Sequence, residues 1–129
     1  MPNSATKPAH EKPKVIRVTI LEPHLIDRER IFVNPPAIHI GYGDSPTTIR
    51  WENHTGDLVK IWLPNADDYL KRPSGEDFSK PFDVTPEKPL VLTVKEDPKP
   101  KKNTYQYHIY CAKINGFAEG NSSPVVHCP

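Results

Sequence analysis

The chain has 129 residues, enough for one hydrophobic core and too few for two ordinary ones. Its 17 basic and 16 acidic residues leave a formal net charge of +1, so no whole-chain field draws it to nucleic acid or to an anionic membrane. Sixteen prolines argue against long helices, and no apolar run approaches the ~20 residues that a membrane span requires.

Residues 1–14 are polar, carry Pro2, Pro8 and Pro13, and show no periodicity. A disordered tail is expected there, lacking the apolar segment of a signal peptide. The protein is therefore expected in the cytoplasm if the chain is the complete product, and exported if a signal peptide was removed. One domain is expected over residues 15–129. It opens with Val15-Ile16-Arg17-Val18-Thr19-Ile20, where Ile16, Val18 and Ile20 share one face and Arg17 and Thr19 the other, the period of a half-buried strand. A charged connection over residues 22–30 leads to Ile31-Phe32-Val33 and, after Asn34-Pro35-Pro36, to Ala37-Ile38-His39-Ile40. Residues 41–46 form a turn cluster, and residues 47–53 a strand with Ile49 and Trp51 facing inward.

Leu58-Val59-Lys60-Ile61-Trp62-Leu63 alternates again and stops at Pro64-Asn65. Residues 66–81 break the pattern, with one helical turn at Ala66-Asp67-Asp68-Tyr69-Leu70 followed by an irregular loop. Phe82-Asp83-Val84 and Leu90-Val91-Leu92-Thr93-Val94 then flank a Pro-Glu turn. A Pro/Lys-rich loop over residues 97–102 leads to Tyr105-Gln106-Tyr107-His108-Ile109-Tyr110, which ends at Cys111, and residues 123–128 are expected to return antiparallel beside it. Short strands at roughly ten-residue spacing, separated by turn signals, predict a β-sandwich or barrel.

The order of these elements resembles a cupredoxin: a Pro-flanked strand, a Gly-Asp turn, a strand ending in Trp51-Glu52-Asn53, a variable loop, and an aromatic-rich penultimate strand that delivers Cys111 to the rim. The resemblance covers residues 15–128 and implies an all-β Greek-key sandwich of seven to eight strands. In that family two histidines, a cysteine and usually a methionine hold one copper ion. Cys111 matches the ligand cysteine. The first ligand histidine is expected where this chain has Leu58-Val59-Lys60, and His54 lies about one turn too early. The second is expected within residues 112–117, which contain none, and Met1 is the only methionine. The resemblance therefore implies a fold without type 1 copper and without a cofactor.

Antiparallel return around residues 119–120 is expected to place Cys111 opposite Cys128 and to allow a disulfide, worth about 3 kcal/mol for a loop of this size. Two reduced cysteines are the alternative. A metal site from Cys111, Cys128, His108 and His127 is disfavoured, because His108 and Cys111 fall on opposite faces of a strand, as do His127 and Cys128. His10, His24 and His39 read as scattered surface residues. Asp67, Asp68, Glu76 and Asp77 match no calcium-loop spacing.

Asn53-His54-Thr55 and Asn121-Ser122-Ser123 fit the glycan acceptor pattern. Trp51 and Trp62 read as core or rim aromatics. Tyr42, Tyr105 and Phe117 are expected to form an exposed patch at the cysteine end, with the loop over residues 117–121 as its centre. Lys95, Lys99, Lys101 and Lys102 form a basic, extended hairpin tip that reads first as a soluble, edge-protecting loop and otherwise as a contact for an acidic partner. The expectation is a non-catalytic binding or structural module with an unknown protein partner. The alternatives are a redox or metal-binding protein using Cys111 with Cys128, and an immunoglobulin-like adhesion module.

Overall fold

Strand alternation is carried through into three sheets. The computed structural model describes residues 14–22, 31–41, 46–74, 76–119 and 122–128. Their strands are β1 (Lys14–Leu21), β2 (Phe32–Asn34), β3 (Ala37–His39), β4 (Thr47–His54), β5 (Val59–Trp62), β6 (Phe82–Val84), β7 (Leu90–Thr93), β8 (Thr104–Gln106), β9 (His108–Cys111), β10 (Gly116–Phe117) and β11 (Val125–His127). Two 3₁₀ turns, Ala66–Asp68 and Ala112–Ile114, are the helical elements among the described residues. The first is the helical turn expected from the sequence.

The first sheet has the order β2-β1-β4-β7, with β1 parallel to β4 in a register that pairs Val18 with Trp51 and Ile20 with Asn53. The second has the order β10-β9-β5-β6 and is antiparallel throughout. The third, β3-β11-β8, sets β11 parallel to β3 and antiparallel to β8. The chain runs from the third sheet into the second at Tyr107, whose backbone N–H donates to Pro124 O at 3.0 Å. The result is an all-β, cupredoxin-like sandwich.

The core is built from the residues that alternation turns inward: Val18, Ile20, Val33, Ile49, Trp51, Ile61, Leu92, Tyr107, Ile109 and Val126 are all buried. Burial of this aliphatic and aromatic surface is the main favourable term for a sandwich of this size. Across the core, the Trp51 Nε1–H donates to Tyr107 Oη at 3.2 Å, and the two rings meet edge to face. Each buried polar tip thereby answers the other's need for a partner.

The strands are more numerous and shorter than the sequence suggested. Pro35-Pro36 separates β2 from β3 as read from the sequence, while Tyr107 divides the expected Tyr-rich strand into β8 and β9 as the chain changes sheet. The expected tail falls on residues 1–13, outside the described residues, plus Lys14, which opens β1. Trp62 is corrected from a core aromatic to an outer-face one. It is 44% exposed, because Val59 and Ile61 take the inward positions of β5.

Candidate functional site

Cys111 closes β9 at the end of the sandwich where the cupredoxin resemblance puts a metal. Its Cα partners are Val59 on β5 and Gly116 on β10. Tyr107, Ile109 and Cys111 share the inward face as expected, and the thiol is fully buried. Its Sγ lies 3.8 Å from Ile109 O, and burial pushes its pKa up to about 11. The group is thus a protonated thiol at neutral pH, since the apolar surroundings disfavour the thiolate that metals and electrophiles require.

The neighbouring groups are held in other roles. His54 is the last residue of β4 and points to the outer face, where its Nε2 lies 3.4 Å from Glu52 Oε1. Glu52 also accepts from Arg17 and Arg50 at 2.7 Å each, and these hydrogen bonds hold its carboxyl down to about 2. Asn53, buried on the opposite face, organises the turn that follows. Its amide donates to Asp57 O and to Val84 O, and its Oδ1 accepts from the N–H and hydroxyl of Thr55. With both ends of its amide engaged, Asn53 is a structural residue rather than a glycan acceptor. Glu119 accepts from the Val33 N–H at 2.7 Å and Ala118 is buried, so the loop after β10 is pinned inward over these two residues.

The expected disulfide is corrected by register. Neither cysteine is disulfide-bonded. β11 does return antiparallel beside the Tyr-rich segment, but it pairs His127 with Thr104, and the Cys128 N–H donates to Asn103 O. Cys111 lies eight residues further along, beyond the change of sheet at Tyr107, where its partners are Val59 and Gly116 and not β11. A disulfide needs Cα atoms within about 7 Å. The same separation removes a reversible Cys111/Cys128 couple. The metal set of Cys111, Cys128, His108 and His127 is dispersed as well, because His108 faces outward and His127 sits beside Cys128 at the far end.

The expected exposed patch is corrected too. Tyr42 lies outside the described residues. Tyr105 is only 3% exposed: its ring packs on Tyr69, and its hydroxyl donates to Asp68 Oδ2 at 2.7 Å while accepting from the Lys101 and Lys102 N–H groups. Alternation from Cys111 back through Ile109 and Tyr107 already assigns residue 105 to the inward face, which is the signal the patch reading passed over. Phe117, by contrast, is 53% exposed as expected.

What surrounds Phe117 is an aromatic row on the outer face of the second sheet. His108 and Trp62 are directly paired across β9 and β5 with ring centroids 5.6 Å apart, His108 meets Phe117 at 6.0 Å, and Phe117 meets Tyr110 at 5.8 Å. From His108 a shallow groove lined by Pro64, Asn65, Gln106 and Lys102 leads toward the basic loop, where Lys99, Lys101 and Lys102 are exposed. The acidic loop beside it is internally paired: Asp67 binds Arg72, Asp77 accepts from Ser79, and Lys95 reaches Asp67 O.

No protein-family profile matches the sequence, and no curated protein does. Among solved structures, a multicopper oxidase aligns over 95% of this chain and 46% of its own, at 12% identity and a TM-score of 0.54. The multicopper oxidase mgLAC aligns over 91% and 39%, at 17% identity and a TM-score of 0.50. A purple cupredoxin from Nitrosopumilus maritimus aligns over 88% and 99%, at 13% identity and a TM-score of 0.45. The chain spans less than half the length of the oxidases it matches. The two oxidase likenesses, at TM-scores of 0.54 and 0.50, agree with the cupredoxin-like fold. The fold implies copper, but the residues around Cys111 do not fit it: the facing position is Val59, and among the described residues no three His, Cys, Asp or Glu side chains converge.

Proposed function

We propose that this protein is a non-catalytic binding module built on a cupredoxin-like sandwich without type 1 copper. Its partner is a protein presenting apolar side chains flanked by carboxylates. The observation that carries this reading is the placing of Cys111 against Val59, where an imidazole would be needed for a blue-copper centre. One thiol without neighbouring imidazoles cannot hold and tune a single copper ion. Binding is assigned to the outer face of the second sheet, because large exposed aromatics in a contiguous row mark contact surfaces. The Lys102 groove adjoins that row and supplies the complementary charge.

Two experiments test the two halves. Anaerobic addition of Cu(I) followed by oxidation is expected to give no intense visible thiolate-to-copper band. Such a band, lost in Cys111→Ser, overturns the copper-free reading. For the surface, a photo-reactive side chain is introduced in place of Phe117, with Val91 on the other sheet as an equally exposed control. A discrete protein cross-linked from 117 alone, and lost in Trp62→Ser or Lys102→Glu, supports the assignment. Equal yields from both positions contradict it.

A further inference from the structure

The third sheet brings together two histidines far apart in sequence. His39 on β3 and His127 on β11 are direct Cα partners in the parallel register. That register is held from both sides, by the Val125 N–H donating to Pro36 O at 3.0 Å and the Ile40 N–H donating to His127 O at 3.1 Å. Ile38 and Val126 take the buried positions, so both imidazoles stand on the outer face. There they stack, with centroids 4.8 Å apart and planes 24° from parallel. On the other flank of His127, the Nδ1 lies 3.0 Å from Thr104 Oγ1.

We propose that His39 and His127 form a chelating pair for a borderline transition-metal dication such as Zn(II) or Cu(II), with water completing the coordination. Neutral imidazole is the commonest protein ligand for these ions. When the His127 Nδ1–H donates to Thr104 Oγ1, the tautomer is fixed and the Nε2 lone pair is left for the metal, the arrangement that orients ligating histidines in general. With metal–nitrogen distances of ~2.0–2.1 Å, the two ligating atoms must approach to roughly 3.3 Å. His39 is exposed, so rotation about its side-chain torsions closes the gap while the two strands hold the backbone fixed. The site lies at the Cys128 end of the sandwich and owes nothing to Cys111.

Isothermal titration of the untagged chain with Zn(II) at constant pH tests the pair. One-to-one binding is expected, lost in both His39→Gln and His127→Gln and unchanged in His108→Gln. Thr104→Val, which removes only the orienting hydroxyl, is expected to weaken binding about tenfold. Cu(II) is expected to bind more tightly than Zn(II), with nitrogen hyperfine coupling in its EPR spectrum. No saturable binding by the native chain, or binding that survives either histidine substitution, overturns the proposal.

Discussion

Asn53 illustrates how much one buried polar side chain can determine. At 4% exposure it closes the turn after β4 and ties that turn to β6 through Val84 O. Asn53→Ala removes a donor from the Asp57 and Val84 carbonyls and the acceptor of the Thr55 N–H, so a loss of about 2–3 kcal/mol is expected in urea unfolding, with Asn53→Asp intermediate because it keeps the acceptor. Cys111 carries a pH signature. Its folded pKa is raised from 9.0 to about 11 by burial, so the folded state holds its proton where the unfolded chain releases it. That contribution is complete below pH 9.0 and is lost as pH rises from there to about 11. Unfolding midpoints measured across this window are expected to fall less steeply in Cys111→Ala than in the native chain. At this scale the sequence was informative wherever alternation applies: Ile49, Trp51, Ile109 and Cys111 all face inward as read. The exposed reading of Tyr105 failed because an aromatic side chain was weighed by type and not by its place in the same alternation.

Among the elements, β4 and β5 each carry a tryptophan, and the two have opposite fates. Trp51→Ala removes a fully buried ring and the partner of Tyr107, and is expected to cost about 3–5 kcal/mol. Trp62→Ala on the outer face is expected to change stability by less than about 1 kcal/mol while removing the centre of the proposed contact row, which pairs of denaturation curves will separate. The strands themselves were legible from period-two patterning and proline punctuation. Their pairings were not, because local sequence carries no information about which distant strand becomes a neighbour. The juxtaposition of His39 with His127 and the separation of Cys111 from Cys128 both follow from the register of β11, which sets Cys128 level with Asn103, eight residues short of Cys111. A matched pair of cysteines in a chain with no others suggested a bridge, yet the antiparallel register that would align them is not the one that buries Val126 between Tyr105 and Ile38.

At the scale of the whole molecule, the net charge of +1 hides an organised distribution. The outer face of the first sheet carries the Arg17, Glu52, Arg50 and His54 cluster, and the outer face of the second carries aromatics beside lysines. Glu52 is held near 2, against 4.5 for a free carboxyl, so its stabilising contribution is present above 4.5 and is lost as pH falls from there toward 2. The stability gap between the native chain and Glu52→Gln is therefore expected to narrow between about pH 5 and pH 2, as read by urea midpoints. The fold class was legible because element order survives where individual motifs drift. The contact surface was only half legible, since Trp62, His108, Tyr110 and Phe117 come from three strands.

The central claim is that Cys111 is a buried, protonated thiol in an apolar rim, neither bridged to Cys128 nor poised as a ligand. Alkylation of the untagged chain without reductant, followed by mass spectrometry before and after denaturation, tests it most directly. The account predicts that Cys111 is protected in the native state and that both cysteines are modified once the chain is unfolded. Failure of the unfolded chain to take up any label, or rapid labelling of Cys111 in the folded protein, contradicts it.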